Sequence, residues 1–473
     1  MTRLLKLAKL PIQARIYLIE DKNHLEQLET GPFTTENLNE LLSHSSNKVH
    51  ALHDGILHVY QLIDAKKVDF GKEELARRKA TQHIDLFNQY KVKAVEISSS
   101  AKSLGIAFAE GLALSNYQFL KYQNGADKKK NCLEEIVYSG LSDEDLAWLE
   151  AKLEGTLLAR DLVNEPLSTL TAPELANRIA DIDLDDLEIK VYNKAEIEEM
   201  GMGGLLAVNK GSVDPPTFTV MEYKPESAKN QKPLALIGKG VVYDTGGMSL
   251  KPTANSMDMM KCDMGGAATV VGTMLSIAKA KLPYYVKAFI PATDNRPGGN
   301  AYVPGDIIKM FNGKTVEILN TDAEGRMILA DALAFAQKDE PELGISVATL
   351  TGAAAYSIGK YASVSMGNVE SDKWEILDQA SAKSGERHAP VPFWSDYGEL
   401  VKSDIADLKN LGGPEAGAIT AGKFLENFTN YPYLHLDIAG PAFHTDNYLY
   451  HPKGGSGYGV RLLAEFVKTL ANG

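Results

Sequence analysis

The segment PLALIGKGVVYDTGG, residues 233–247, is an apolar run without alternation that leads into a lysine, an aspartate and paired glycines. A strand with one wet face alternates apolar and polar side chains. This run does not, so it fits a sheet covered on both faces. GGAATVVGTMLSIAKAK, residues 265–281, carries small and apolar residues at helical spacing and reads as one of the covering helices. The runs YYVKAFIPAT, TVEILN, ISVATLTGA and YLHLDIAGPA read as further strands. Together they restrict this part of the chain to an α/β layer architecture.

The first part of the chain also alternates. YLIED, ILHVYQLI and KAVEISS read as strands. KEELARRKATQHIDLFNQY (72–90) and AKSLGIAFAEGLALSNYQFLKY (101–122) read as helices. That order predicts an α/β domain with a largely parallel sheet. Between the two parts, Ser142 is an N-cap residue, acids fill the following turn, and Pro166 marks an end. A helix over most of 143–164 is expected, with the domain boundary inside it. The expected domains are 1–155 and 156–473. YKPESAKNQKP reads as a surface turn.

The 473 residues suit two or three domains at about 100–200 residues each. A net charge of -13 argues against a large nucleic-acid or anionic-membrane footprint. Two cysteines, Cys132 and Cys262, cannot make a disulfide framework and fit a reducing compartment. The opening MTRLLKLAKLPIQARIYLIED is interrupted by Lys6, Lys9 and Pro11 and makes a poor signal peptide. No window is apolar enough for a membrane span. A cytoplasmic protein is expected.

Charged residues gather where the strands end. Lys239 and Asp244 lie in GKGVVYDTGG, Lys251 in SLKP, and Asp263 in MKCDMGG. Asp322, Glu324 and Arg326 lie in NTDAEGR, between TVEIL and the helix-spaced MILADALAFAQK. Open α/β sheets bind ligands beyond the carboxyl ends of their strands. Four carboxylates meeting there would repel unless cations neutralised them. None of the ten histidines lies between His83 and His388. A metal held by residues 239–326 must therefore use oxygen ligands, with a lysine as the one nitrogen on offer. Four negative charges match two divalent ions. Mg or Mn suits oxygen ligands, and Zn also accepts carboxylates. Two such ions can share a water and lower its pKa.

Each residue has a plainer reading. Asp322 and Asp263 could cap the helices they precede, and Glu324 could complement a helix dipole. Arg326 could pair with Glu317 or cover a sheet edge. Lys239 and Lys251 could be solvated surface lysines. Asp244 before Thr-Gly-Gly is ordinary turn chemistry. Gly325 leaves space beside metals, and a turn would explain it equally well. Joint occurrence at successive strand ends favours the shared site.

NTDAEGR resembles the signature of the leucyl aminopeptidase (cytosol aminopeptidase) family. GKGVVYDTGGMSLKP, MKCDMGGAATV, ARDLVNEP, YVPGDII, LTGA, AGAITAGKFL and HLDIAGPA resemble family blocks in family order, over residues 155–465. The loop from Lys251 to Asp263 is one residue longer than the usual pattern. Asp294 and Arg296 stand where many members carry Glu and an apolar residue, and Met327 stands where leucine is common.

The resemblance implies a smaller N-terminal α/β, macro-like domain and a larger catalytic α/β domain with a mixed central sheet flanked by helices. It implies metal ligation by Lys239, Asp244, Asp263, Asp322 and Glu324, with Asp244 and Glu324 bridging two ions (Zn, Mn or Mg). It implies that Lys251 steadies the oxyanion and that Arg326 holds a bicarbonate base, which suits a segment without histidine. Met260, Thr349, Leu350 and Gly352 resemble substrate-pocket positions. The implied activity is removal of leucine-like N-terminal residues from peptide substrates by a homohexamer. A two-metal phosphoryl hydrolase and a DNA-binding regulator on the same fold are the alternatives. The net charge of -13 argues against the second.

Overall fold

A computed structural model describes residues 2–20, 31–44, 47–64 and 70–473. The chain divides into two compact units. The first contains Met1–Leu153 together with Ala382–Gly385 and Asp446–Lys453, and the second contains the rest. One helix, Asp143–Asn164, contributes residues to both. Its start is a reciprocal cap: Ser142 Oγ accepts from Asp145 N (3.1 Å) while the Asp145 carboxylate accepts from Ser142 N (2.8 Å).

The first unit holds a six-stranded sheet. Its spatial order is Arg3–Leu5, Glu135–Val137, Ala94–Ser99, Ala14–Ile19, Ile56–Leu62 and Lys48–His53. All neighbours are parallel except the last pair, which is an antiparallel hairpin. The strand expected at YLIED ends at Ile19, and Asp21 lies outside the described residues. Ile16, Val59, Val95, Phe108 and Leu112 form its core, all buried.

Two helices are shorter than their periodicity predicts. Residues 72–90 break into Lys72–Ala80, a 3-10 turn at Thr81–His83, and Ile84–Tyr90. At the break, His83 turns inward to meet Gln61 Oε1 at 3.1 Å and is fully buried. The helix at 101–122 spans only Lys102–Ser115. Asn116 ends it by donating its amide to Thr2 Oγ1 (2.7 Å) and Leu133 O (2.9 Å), so the chain leaves the helical path there.

The second unit is built on a nine-stranded mixed sheet. Its path runs His388–Pro390, Ser363–Gly367, Tyr433–Asp437, Leu343–Ala348, Leu234–Gly238, Val286–Asn295, Thr217–Tyr223 and Leu187–Tyr192, with Gly240–Asp244 paired to Val286–Asn295. The central neighbours are parallel, and the antiparallel pairs lie to either side. The central strand Leu234–Gly238 is buried throughout, as the absence of alternation requires. The helix Gly265–Lys279 packs on it and on its neighbour Leu343–Ala348, so closely that a side chain at Gly266 would meet the Val347 carbonyl. That contact explains the glycine at 266.

TVEILN is not part of the central sheet. Only Thr315–Glu317 is a strand, and it joins a three-stranded sheet with Ile307–Lys309 and Leu408–Lys409. Beyond Glu317 the backbone amides turn to other partners. Ile318 N donates to Asp306 O, and Leu319 N donates to the Asn410 side chain. Among the described residues no helix is long and apolar enough to cross a membrane.

Candidate metal centre

The charged residues come from separate elements and meet in the second unit. Lys239 follows the strand Leu234–Gly238, and Asp244 ends the strand Gly240–Asp244. Asp263 immediately precedes the helix segment opened by Met264, and Glu324 opens the helix Glu324–Ala336. Asp244, Asp322 and Glu324 each present one oxygen, and these oxygens lie within 4.8 Å of one another.

Two lysines thread this acidic group. Lys239 Nζ lies 2.8 Å from both Asp263 and Glu324 and donates to Thr349 O at 3.0 Å. Lys251 Nζ lies 2.8 Å from Asp244 and 2.5 Å from Asp322. Four carboxylates thus face two ammonium groups, and negative charge is left in excess. Lys239, Asp244, Asp263 and Glu324 are buried, while Asp322 and Lys251 are half-buried.

The electrostatics follow from that imbalance. Burial pushes Asp244 up to about 7, and Glu324 adds to the rise against the opposing Lys251 and Lys239. Burial likewise raises Asp263 and Asp322. Burial works against the charge of Glu324 too, but Lys239 and Lys251 outweigh it and hold this carboxyl below the usual range. For both lysines burial opposes the charge, and the surrounding carboxylates overcome it and raise their pKa. Burial lowers Arg326 to about 10.

The donor set fits divalent ions. Glu324 Oε2 is buried and accepts no hydrogen bond. A buried carboxylate oxygen without a donor is costly unless a cation meets it. Carboxylate oxygens with one amine are the hard ligands that Mg, Mn and Zn accept. Arg326 Nε is a second orphan, a buried donor without an acceptor.

Most of the plainer readings give way. Ala323 and Met264 occupy the N-cap positions, and no side chain caps either helix. Asp322 and Asp263 are therefore not caps. Lys239 is not solvated. Glu317 accepts from Ser403 Oγ at 2.5 Å, while Arg326 Nη1 donates to Asn410 O at 2.8 Å. Asp244 does keep a turn role, since its Oδ1 accepts from Gly246 N at 2.8 Å. Gly325 makes room for a specific neighbour: an added Cβ would stand 2.5 Å from Lys239 Cε.

The four expected pocket positions are not equivalent. Thr349 Oγ1 donates to Asp263 Oδ1 at 2.9 Å, so this side chain serves the acidic group. The Leu350 side chain packs against the hydrophobic core, and its N–H is held by Asp437 Oδ1 at 3.1 Å. Met260 is half-buried in the 3-10 turn Met257–Cys262, and Gly352 is exposed at the start of Gly352–Ile358.

A brace of uncharged residues also surrounds the site, and reading for ionisable groups overlooks it. Asn295 Nδ2 donates to Asp244 Oδ1 (2.8 Å) and Thr321 O (3.0 Å). Thr321 Oγ1 donates to Gly246 O (2.7 Å) and accepts from Ser249 N (2.8 Å). Tyr302 O–H donates to Thr321 O at 2.9 Å. The loop bearing Asp244 and Lys251 is thereby stitched to the turn bearing Asp322. The available signal was position, since Asn295 closes a buried strand just as Asp244 does.

Residues 157–464 match the family model for the catalytic domain of the cytosol aminopeptidase family. A probable cytosol aminopeptidase of Clostridium perfringens is 42% identical over 433 residues, covering 88% of this chain and 87% of the relative. One from Geotalea uraniireducens is 43% identical over 374 residues, covering 77% and 75%. Among solved structures, the bottromycin maturation enzyme BotP matches at 28% identity with a TM-score of 0.85, covering 98% of this chain and 100% of that one. BotP in complex with Mn matches at 29% identity with the same score, covering 97% and 99%. The chain belongs to the cytosol aminopeptidase family and is a metal-dependent aminopeptidase.

Proposed function

We propose that the chain removes N-terminal, leucine-like residues from peptides, with Lys239, Asp244, Asp263, Asp322 and Glu324 holding two divalent ions. The convergence of Asp244, Asp322 and Glu324 around a donor-less Glu324 oxygen carries this reading. When bound, the ions (Zn or Mn, with Mg the third candidate) supply a water of lowered pKa and polarise the scissile carbonyl. That BotP is described in complex with Mn is consistent with Mn as a candidate ion here.

The chain's own residues supply the rest. Lys251 is held by Asp244 and Asp322, which keep it charged, and it is oriented before reaction. A fixed ammonium stabilises the oxyanion that develops on the attacked carbonyl. As a ligand Lys239 would offer its amine lone pair, so it would give up the proton now shared with Asp263 and Glu324. Nearby divalent charge favours that loss. Arg326 stays cationic at neutral pH and keeps an unpartnered Nε. A planar fork with a free N–H suits bicarbonate, which would supply the general base that histidine does not provide here.

Hexameric assembly and a cytoplasmic location are proposed on the family resemblance and the names of the relatives. A panel of aminoacyl p-nitroanilides beside p-nitrophenyl phosphate tests the activity. Cleavage led by the leucine anilide supports it, and turnover of the phosphate ester alone contradicts it.

A further inference from the structure

We propose that Asn410 is a positioning residue that closes the NTDAEGR turn into a ring and aims Arg326 at its anion. This rests on the reading of Arg326 as the bicarbonate seat.

Asn410 is fully buried just after the short strand Leu408–Lys409. Its side chain spends both halves of the amide on one stretch of backbone. Oδ1 accepts from Leu319 N (2.8 Å) and Asn320 N (3.3 Å), and Nδ2 donates to Asn320 O (2.7 Å). Its main chain grips both ends of the same turn. Asn410 N donates to Glu317 O at 3.0 Å, and Asn410 O accepts from Arg326 Nη1 at 2.8 Å. One residue therefore touches positions 317, 319, 320 and 326, and Asp322 and Glu324 lie between them.

The chemistry requires asparagine. Aspartate would keep the acceptor but set a second oxygen against Asn320 O, and alanine would leave the part-buried Leu319 N and Asn320 N without their acceptor. The consequence for Arg326 is specific. Nη1 is tethered to a carbonyl that the Asn410 amide itself fixes, while Nε remains free. Tethering Nη1 narrows the range over which the guanidinium can swing and leaves the Nε side available, which favours planar anion recognition. If the ring opens, the fork can swing while the carboxylates keep their lysine partners.

The test uses full-length, metal-loaded protein and bicarbonate as the probe. Bicarbonate affinity is measured by isothermal titration calorimetry, with metal content counted in parallel, for the parent, Asn410→Ala, Asn410→Asp and Arg326→Gln. The expected result is bicarbonate binding weakened by about 10-fold or more in both Asn410 variants, with two metals retained, the scale on which outer partners of a site act. If Asn410→Ala fails to fold, the near-isosteric Asn410→Asp carries the measurement. Unchanged bicarbonate affinity in the Asn410 variants, with or without a lower Tm, overturns the proposal while Arg326→Gln still loses binding. No bicarbonate binding to the parent, together with a fully active Arg326→Gln, overturns the seat itself and this inference with it.

Discussion

Gly325 lies against Lys239, so closely that an added methyl group would stand 2.5 Å from the lysine Cε and 2.7 Å from Nζ. The glycine sits one residue into a helix, where alanine would gain about 0.5–1 kcal/mol. Displacing a buried side chain costs about 1–3 kcal/mol. The gain offsets only part of that cost, and the displacement alone acts on the site. Gly325→Ala is expected to lower Tm modestly and to lower activity about 10–100-fold, on the scale seen when the surroundings of a metal site are disturbed. Parent-like activity and metal content would show that Lys239 does not need this space.

Lys251 bridges Asp244 and Asp322 and is assigned to the oxyanion. Lys251→Met keeps much of the aliphatic stem and removes the charge. Turnover should fall about 10²–10³-fold with KM changed little, as expected for loss of a donor used in the transition state. Metal content should persist. Steady-state kinetics beside elemental analysis checks this, and a variant that loses its metals instead would reassign Lys251 to the structure of the site.

Asn295 holds Asp244 from behind. Asn295→Ala removes the donor to Asp244 Oδ1 and the contact with Thr321 O. Metal affinity should weaken about 10–100-fold, with more added metal restoring activity. A chelator titration followed by activity reads this directly. No shift in the chelator midpoint would place Asn295 outside the metal's reach.

His83 makes stability depend on pH. Burial, with Lys48, His50 and Lys79 adding positive charge, lowers its pKa from 6.5 to about 3. The unfolded chain binds this proton below pH 6.5 and the folded chain does not. The contribution is therefore complete above pH 6.5 and is lost as pH falls from 6.5 towards 3. Between pH 7.5 and 5.5 the loss from one such group is about 1.4 kcal/mol. His83→Gln, which keeps an amide beside Gln61, should lack that increment. Denaturant unfolding at the two pH values measures it, and equal losses in parent and variant would contradict the assignment.

Lys239 and Asp244 were legible because each stands at the end of an apolar strand of the central sheet. Lys251, Asp263 and Asp322 lie on loops and turns and Glu324 opens a helix, and these were legible through their charged motifs. Asn295, Thr321 and Asn410 were not. Their action lies in hydrogen bonds to backbone far along the chain, such as Asn410 to Leu319, and an amide in sequence does not announce its partner. TVEILN carries the local signal of a strand, but local signal does not say which sheet receives it. The helix at 72–90 breaks for a similar reason, since His83 is drawn to Gln61 by a tertiary contact that periodicity does not contain.

On the proposed function, Asp244, Asp322 and Glu324 hold divalent ions that act on peptides. Elemental analysis of the dialysed protein, run beside leucine p-nitroanilide hydrolysis, tests it most directly in the parent and in Glu324→Gln. Two divalent ions per chain are expected in the parent, fewer in Glu324→Gln, and hydrolysis that falls with the metal count. Full hydrolysis by Glu324→Gln, or a parent that hydrolyses the anilide with no bound divalent ion, would contradict it.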